Sequence, residues 1–226
     1  MITARLQCII NHVSCKTAAD IGTDHAYVPV RLIDDGRAEH VIASDIRTGP
    51  VNAAVHTVNK YGMQDKIEVR QGSGLSVLRQ NEADLIIIAG MGGQLIQTII
   101  EEHKSIAENA RLILQPMNDQ YELRKYLMGN GFEIVCEDLA VEGFKVYNIM
   151  IVKKGFQQPF DRDIFYHLPE CLFGHRHFKE LYEKKMREFT KVVSGLEHSK
   201  ETDTQKLEEY RKWLKDLKGL KFNESI

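Results

Sequence analysis

Short apolar runs alternate with amphipathic stretches up to about residue 154. The runs are bounded by Gly, Asp and Pro and are too short for helices, so they predict strands buried in a parallel sheet. The five runs are KTAADI (16–21), HVIASDI (40–46), KIEVRQ (66–71), ADLIIIAG (83–90) and ARLILQP (110–116). Between them, GPVNAAVHTVNKYG (49–62) and GGQLIQTIIEEHKSIAEN (92–109) carry apolar residues at helical spacing. Strands that alternate with helices in this way are typical of a doubly wound α/β domain.

The end of this region departs from the alternation. FEIVCEDLAVE (132–142) and KVYNIMIVKK (145–154) are strand-like and are separated only by Gly143 and Phe144. A gap that short holds no crossover helix, so the two segments form a hairpin and the last strand runs antiparallel to its neighbour. A nicotinamide-binding Rossmann domain would close with another parallel unit. The hairpin therefore favours the sheet of S-adenosylmethionine-dependent methyltransferases.

After Lys154 the composition changes. The segment GFQQPFDRD (155–163) is typical of a linker. The chain from about residue 160 onward is predicted to be helical. Two apolar stripes at helical spacing flank the polar segment SGLEHSKETD (194–203), so we expect an antiparallel helical hairpin. The stripes are Phe178, Leu181, Met186, Phe189, Val193 and Leu196, and then Leu207, Tyr210, Leu214 and Leu217. The expected domains are 1–156 and 157–226.

Composition narrows the class of protein without identifying it. The 226 residues are 43% hydrophobic and 27% charged, which is ordinary for a soluble globular protein. No apolar run approaches the roughly 20 residues of a membrane span, and no signal peptide is indicated. The four cysteines form no CxxC pair, as expected for free thiols in a reducing cytoplasm. With a formal net charge of −2, any nucleic acid would have to be bound by a local basic patch.

The stretch AADIGTDHAYVP (18–29) carries the first candidate site. The first strand delivers Asp20 and Gly22 to the carboxyl end of the sheet, where α/β domains bind ligands, and a glycine there lets a ligand approach the backbone. The second strand ends at Asp45, where an acid can accept hydrogen bonds from both ribose hydroxyls of an adenosine. This suits NAD and S-adenosylmethionine equally. The alternative is that Asp45 only caps the following helix.

Asp24 separates the two cofactors. A pyrophosphate requires N–H donors and no nearby carboxylate, because like charges in a partly buried site are costly. A sulfonium is a cation, and the methionine part of S-adenosylmethionine carries an ammonium, so an acidic turn favours that ligand. The alternative makes Asp24 the N-cap of a helix that begins near His25, and the two roles can coexist.

Five motifs of the first 154 residues together resemble those of a known family. DIGTDHAYVP, SDIRTGPVNAA, RQGSGL, IIIAGMGG and LILQP, in this order and spacing, resemble the bacterial tRNA (adenine-22-N1)-methyltransferase family over residues 15–154. The helical tail resembles the coiled-coil C-terminal domain of that family. The resemblance implies a Rossmann-like class I methyltransferase with an antiparallel last strand, S-adenosylmethionine as cofactor and tRNA as substrate. The implied cofactor-binding residues are Asp20, Gly22, Thr23, His25, Asp45, Ile46, Gly72, Ser73, Gly74, Ala89, Gly90, Met91 and Gly92.

Two positions depart from the family pattern. Ser73 stands where the family usually has an acid that would bond the amino group of the cofactor adenine; a serine can still accept that bond. Met117 replaces the usual Asn after Pro116, in a loop that resembles the target-amino-binding loop of amino-directed adenine methyltransferases. This change concerns the contacts with the target base and not the cofactor site.

A mechanism follows from the chemistry of adenine. N1 already has an available lone pair, so methyl transfer needs alignment more than a strong base. Positive charge then appears on the adenine ring, and a carboxylate near its amino group stabilises that charge. We assign this role to Asp24 and expect Gln115 to contact the base. Further substrate-binding candidates are Tyr27, which either stacks on a base or packs against its helix, Pro116, and the surface residues Arg176 and Lys179.

The glycines of AGMGGQLI have two interpretations. Gly90 and Gly92 are expected to leave room where cofactor and target base meet. For Gly93 we favour a turn at the start of a helix, and Met91 is expected to pack against a ring or in the core.

Other functions and partners are weighed against this one. His167, Cys171, His175 and His177 include no second thiolate and are interrupted by Pro169 and Gly174, so no metal is expected. We expect a cytoplasmic monomer with tRNA as its partner and no membrane association. The alternatives are a nicotinamide oxidoreductase, a non-catalytic tRNA-binding protein with the same fold, and a methyltransferase for a small molecule or protein.

Overall fold

The computed structural model describes residues 2–199 and 203–222. They divide into two compact units, with the boundary between Pro159 and Phe160. The first unit is built on a seven-stranded sheet in the order β3-β2-β1-β4-β5-β7-β6. The strands are β1 Cys15–Ile21, β2 Ala38–Asp45, β3 Ile67–Gln71, β4 Leu85–Met91, β5 Arg111–Pro116, β6 Phe132–Glu142 and β7 Lys145–Lys154.

The pairing confirms the predicted sheet. Strands β1 to β5 pair in parallel, whereas β7 is antiparallel to both β5 and β6. Neighbouring residues of the central strands point to opposite faces: Ile86 and Ile88 belong to one core cluster, and Leu85 and Ile87 to the other. Both faces of the sheet are therefore buried, which is why the parallel strands read as nearly continuous apolar runs.

Helices cover both faces, and several of them differ from the expectation. The helices of the first unit are α1 Ala4–Asn11, α2 Tyr27–Asp34, α3 Thr48–Tyr61, α4 Gly93–Glu102, α5 Lys104–Ala107 and α6 Gln120–Gly129, with a 3₁₀ turn at Gly74–Val77. The sequence did not predict α1 or α6. The single helix expected over 92–109 is interrupted at His103, whose φ of −133° and ψ of 45° are not helical.

The second unit is helical, with α7 Ile164–His167, a 3₁₀ turn Glu170–Leu172, α8 Phe178–Glu197 and α9 Thr204–Lys218. The long helices α8 and α9 are antiparallel, because Tyr182 contacts Phe222 whereas Phe189, further along α8, contacts Trp213. Residues 200–202 of the expected polar connection lie outside the described residues.

The hairpin seam contains both predicted and missed residues. Phe178, Leu181 and Phe189 of the first stripe and Leu207 and Leu217 of the second are buried. The other predicted members, Met186, Val193, Leu196, Tyr210 and Leu214, are half-buried. The prediction omitted the buried Trp213, whose ring lies 4.4 Å from the ring of His167. None of the described helices is long and apolar enough to cross a membrane.

One buried ion pair joins α6 to the edge strand β6. The guanidinium of Arg124 donates to both carboxylate oxygens of Glu137 at 2.7 and 2.6 Å, and their side chains are 0% and 1% exposed. The two-bond geometry offsets the desolvation of both charges only while both partners are present.

Glu137→Gln is expected to lower the free energy of unfolding by about 3 kcal/mol or more, because it leaves the Arg124 charge buried without a counter-charge. Urea unfolding followed by circular dichroism measures the change. Glu133→Gln in the same strand is the matched control, since Glu133 pairs with Lys153 near solvent, and a change below about 1 kcal/mol is expected. Equal effects of the two substitutions would contradict this account of the buried pair.

Candidate functional site

A cavity of about 390 Å³ opens at the carboxyl ends of the central strands. Two carboxylates, Asp20 and Asp24, line it together with the cations Arg5 and Arg47. The predicted site residues that line this cavity are Asp20, Gly22, Thr23, Asp24, His25, Tyr27, Ala89 and Gly90. Because parallel strands end at the same edge, one sheet edge gathers residues that are distant in sequence.

The turn after β1 depends on its glycine. Gly22 has φ +81°, and the N–H groups of Gly22 and Thr23 both donate to the carbonyl oxygen of Ser44, at 2.8 and 2.7 Å. A Cβ at Gly22 would lie 2.2 Å from the methyl group of Met91. A side chain at position 22 would therefore be strained and would displace Met91, which packs against this turn.

Asp20 is a nearly buried carboxylate, 6% exposed, at the end of β1. Burial raises the pKa of Asp20 to about 6, and the hydrogen bond with the Thr23 side chain opposes that rise. Among the described residues no cationic side chain forms an ion pair with Asp20. A buried carboxylate without a cationic partner at the wall of a cavity fits a positively charged ligand group.

Asp45 ends β2 and is also 6% exposed. Its Oδ1 accepts hydrogen bonds from the backbone N–H of Arg47 at 2.8 Å and from Arg47 Nε at 3.3 Å. Arg47 precedes α3, so Asp45 fixes the entry to the helix without bonding the N–H groups of its first turn. In the described part of the chain Asp45 Oδ2 has no partner, so it can accept from a ligand.

The structure separates the two interpretations of Asp24. Helix α2 begins at Tyr27, later than expected, because Ala26 has φ +52° and cannot continue a helix; the helix has no side-chain cap. The N-cap interpretation of Asp24 is therefore wrong. The Asp24 side chain is 71% exposed, with Oδ2 lying 3.4 Å from His25 Nε2. The His25 ring stacks on the ring of Tyr27, with centroids 5.3 Å apart, and Tyr27 is 40% exposed.

The three glycines of the loop between β4 and α4 have different structural roles. Gly90 has φ +77° and lies at the cavity wall. Gly92 precedes α4, and a Cβ there would lie 2.9 Å from Asn118 Oδ1. Gly93 starts α4, as expected, but glycine is needed there for close packing and not for its backbone angles, because a Cβ would lie 2.6 Å from the carbonyl oxygen of Asp119. Met91 is half-buried and packs against the core cluster under α4.

Gln115 was expected to contact the target base, but its side chain has other partners within the protein. Its side chain is fully buried, and Oε1 accepts from Arg5 Nη1 at 2.6 Å and from the Gly90 N–H at 3.2 Å. Its Nε2 donates to the carbonyl oxygen of Pro116 at 3.0 Å. Both ends of the amide are thus bonded within the protein, and Gln115 holds Arg5 at the cavity wall.

Arg5 and Arg47 are cations in the cavity lining that the sequence analysis missed, and Arg5 is the one bonded to a predicted site residue, Gln115. Arg5 lies on α1, its backbone N–H donates to Glu142 Oε1 at 2.7 Å, and its guanidinium lies 5.5 Å from the centre of the Tyr147 ring. The available signal was Thr3, which caps α1, followed by apolar residues at helical spacing. That signal predicts the helix but not its place at the sheet edge.

The remaining predicted cofactor residues flank the ends of β2 and β3. The Gly72 N–H donates to the carbonyl oxygen of Asp45 at 3.1 Å, and Gly74 has φ +53° at the start of the 3₁₀ turn. Ser73 is exposed between them, and Ile46 is 61% exposed after β2. These residues lie beside Asp45 but outside the lining of the 390 Å³ cavity.

The other substrate candidates are not in the lining of this cavity. Pro116 is buried at the end of β5, and Met117 is 44% exposed after it. Arg176 and Lys179 are exposed residues of the helical unit. Among the described residues, one group could hold a metal ion: Cys8, His12 and Asp138, with His12 Nε2 and Asp138 Oδ2 only 2.8 Å apart.

Comparisons with known proteins agree with this geometry. A family described as a methyltransferase domain matches residues 2–150. The tRNA (adenine(22)-N(1))-methyltransferase of Bacillus subtilis (strain 168) is 37% identical over 167 residues, which are 73% of this chain and 68% of the relative. The crystal structure of the B. subtilis M1A22 tRNA methyltransferase matches at 29% identity, with a TM-score of 0.86 over 96% of this chain and 97% of that chain.

A second solved structure carries a ligand. The Streptococcus pneumoniae protein Sp1610 in complex with S-adenosyl-L-methionine is 33% identical to this chain, with a TM-score of 0.84 over 96% of this chain and 99% of that one. The similarity extends over both units of the chain.

Proposed function

The chain belongs to the tRNA (adenine-22-N1)-methyltransferase family, and we propose that the cavity beside Gly22 is where its reaction takes place. The protein is an S-adenosylmethionine-dependent enzyme that methylates N1 of an adenine in tRNA. The nicotinamide alternative is wrong, because the sheet closes with antiparallel β7 as in methyltransferases. The observation that carries the assignment of the site is the buried carboxylate of Asp20, which has no cationic partner among the described residues.

The residues at the sheet edge fit S-adenosylmethionine part by part. Asp20 provides a counter-charge for the ammonium of the methionine moiety, and the guanidinium of Arg5, held by Gln115, provides one for its carboxylate. Asp45 Oδ2 accepts from ribose hydroxyls. Ile46 and Ser73, exposed next to Asp45, are placed to contact the adenine.

When bound, the cofactor would supply a methyl group bonded to a positively charged sulfonium sulfur, and the transfer would break that C–S bond and leave the neutral thioether S-adenosylhomocysteine. The chain holds the target adenine so that N1 faces that methyl group, and such alignment supplies much of the rate for a nucleophile that already has a free lone pair. Asp24, exposed at the cavity rim, accepts a hydrogen bond from the adenine amino group and stabilises the positive charge that develops on the ring. Gln115 acts indirectly, by positioning Arg5.

The remaining assignments concern the domains and the tRNA contacts. We place the methyltransferase domain at 1–156 and the helical domain at 157–226, three residues before the boundary of the two compact units, with Arg176 and Lys179 as exposed cations for tRNA phosphates. The enzyme acts on tRNA in the cytoplasm and as a monomer.

Transfer of a labelled methyl group to tRNA transcribed in vitro tests the function. N1 methylation blocks Watson–Crick pairing, so reverse transcription is expected to stop at adenine 22, and a transcript with guanine at that position is expected to gain no label at the site. Cofactor and tRNA binding without label transfer would support the non-catalytic alternative, and transfer that needs no RNA would support a different substrate class.

Asp24→Asn is expected to reduce kcat for tRNA about 100-fold or more while the affinity for S-adenosylhomocysteine stays within about twofold. The amide keeps the shape of the carboxylate but loses the charge that faces the adenine cation. Single-turnover kinetics and calorimetry measure the two quantities. Asp34→Asn is the matched control, because Asp34 is an exposed acid on α2 that pairs with Arg31. Near-normal turnover in Asp24→Asn would show that Asp24 is not catalytic.

A further inference from the structure

A second cavity, of about 330 Å³, adjoins the first one. It lies between the start of α2 and one face of α3, and its lining includes His25, Tyr27, His56, Thr57, Lys60 and Tyr61. His25 and Tyr27 also line the first cavity, so the two cavities share a wall. Its volume is at the low end of the range for small-ligand sites, about 300–1,000 Å³.

The lining has an unusual chemistry for a helix surface. Tyr27 is 40% exposed and Tyr61 is 54% exposed, although large aromatic side chains usually bury more of their surface. Within residues 2–199 and 203–222, the side chains of His56, Lys60 and Tyr61 form no hydrogen bond or ion pair. Among the described residues, no polar contact therefore accounts for the histidine, the lysine and the tyrosine at this place on α3.

The charges of the two cavities differ. The two acids Asp20 and Asp24 line the first cavity together with the two arginines Arg5 and Arg47, whereas the second cavity has Lys60 and two histidines and no carboxylate in its lining. Exposed aromatic rings beside cationic groups are the combination that binds single-stranded nucleic acid, because the rings stack on bases and the cations contact phosphates.

We propose that the second cavity binds a nucleotide next to the target adenine in the tRNA strand. This inference rests on the proposed function, because an adenine whose N1 is methylated must leave its base pair and its stack, which also exposes its neighbour. The neighbouring base stacks on Tyr61 and Tyr27, and Lys60 contacts the phosphate. The shared wall of His25 and Tyr27 separates the target base from the flanking one.

The proposal explains why the stacked pair His25–Tyr27 is on the surface. Because both residues line both cavities, the two rings are proposed to serve as a spacer between consecutive bases. An interface with a second copy of this chain, or a pocket for part of the cofactor, would use the same surface without requiring RNA, and the experiment separates these occupants.

Tyr61→Ala tests the inference by tRNA binding and by kinetics. Loss of one stacking ring is expected to raise both the Kd and the KM for tRNA at least fivefold, with kcat and the Kd for S-adenosylhomocysteine unchanged. Tyr61→Phe keeps the ring and is expected to bind like wild type. Lys60→Gln is expected to weaken binding and to reduce the salt dependence of tRNA affinity by about one phosphate contact.

Phe156→Ala is the matched control, because Phe156 is 78% exposed and follows the end of β7, at the sheet edge opposite the cavities. Thermal melting by circular dichroism confirms that each variant folds.

Wild-type tRNA affinity in Tyr61→Ala would overturn the inference, while methyl transfer by the wild-type enzyme would still support the proposed function. A lower affinity for S-adenosylhomocysteine in this variant would instead assign the cavity to the cofactor, and a change in oligomeric state would assign it to a second copy. If wild type neither binds nor methylates tRNA, both proposals are wrong.

Discussion

The site that we propose depends on one carboxylate, which the fold buries at the end of β1 and which no cationic side chain of the described residues pairs with. Asp20 is 6% exposed, and its pKa is raised to about 6 because ionisation in a buried position is unfavourable. Since the folded pKa lies above the ordinary value of 3.8, the folded state loses stability as the pH rises from about 4 to about 6, by roughly 3 kcal/mol in all. A ligand cation that restores the missing counter-charge is therefore bound strongly, and S-adenosylmethionine carries such a cation.

The surrounding structure can be understood as support for that carboxylate. Gly22 turns the chain immediately after β1 so that the cavity reaches the backbone, and the two N–H groups of this turn are bonded to β2. Arg5, which lines the same cavity, is fixed by the buried Gln115, which also holds the backbone of Gly90. The opposite charges of Asp20 and Arg5 match the ammonium and the carboxylate that we propose they bind in one methionine moiety. This arrangement leaves the exposed Asp24 for the role toward the substrate that we propose for it.

The sheet could be predicted from the sequence because buried parallel strands leave an apolar run that is independent of tertiary context, and because the Gly143–Phe144 gap permits only a hairpin. The positions of the acids and glycines at the strand ends could also be predicted, because these residues lie where the apolar runs end. Two kinds of feature could not be predicted. The start of α2 after Ala26 is decided by one backbone angle, and the hydrogen bond between Arg5 and Gln115 joins residues that are 110 positions apart in sequence. Trp213 was omitted although its position three residues after Tyr210 fits the helical spacing, and its ring contacts those of Tyr210 and Phe189 in the two predicted stripes.

The pH dependence of S-adenosylhomocysteine binding tests the central claim most directly, because this ligand keeps the ammonium but lacks the sulfonium. Protonation of Asp20 competes with the ammonium, so calorimetry is expected to show constant affinity above about pH 7 and about tenfold weaker binding at pH 5. Asp20→Asn is expected to bind weakly at every pH, whereas His25→Gln should keep the wild-type profile, which excludes the neighbouring imidazole as the titrating group. An affinity that stays flat from pH 5 to pH 8 in the wild-type protein, or a profile that survives in Asp20→Asn, would contradict the account.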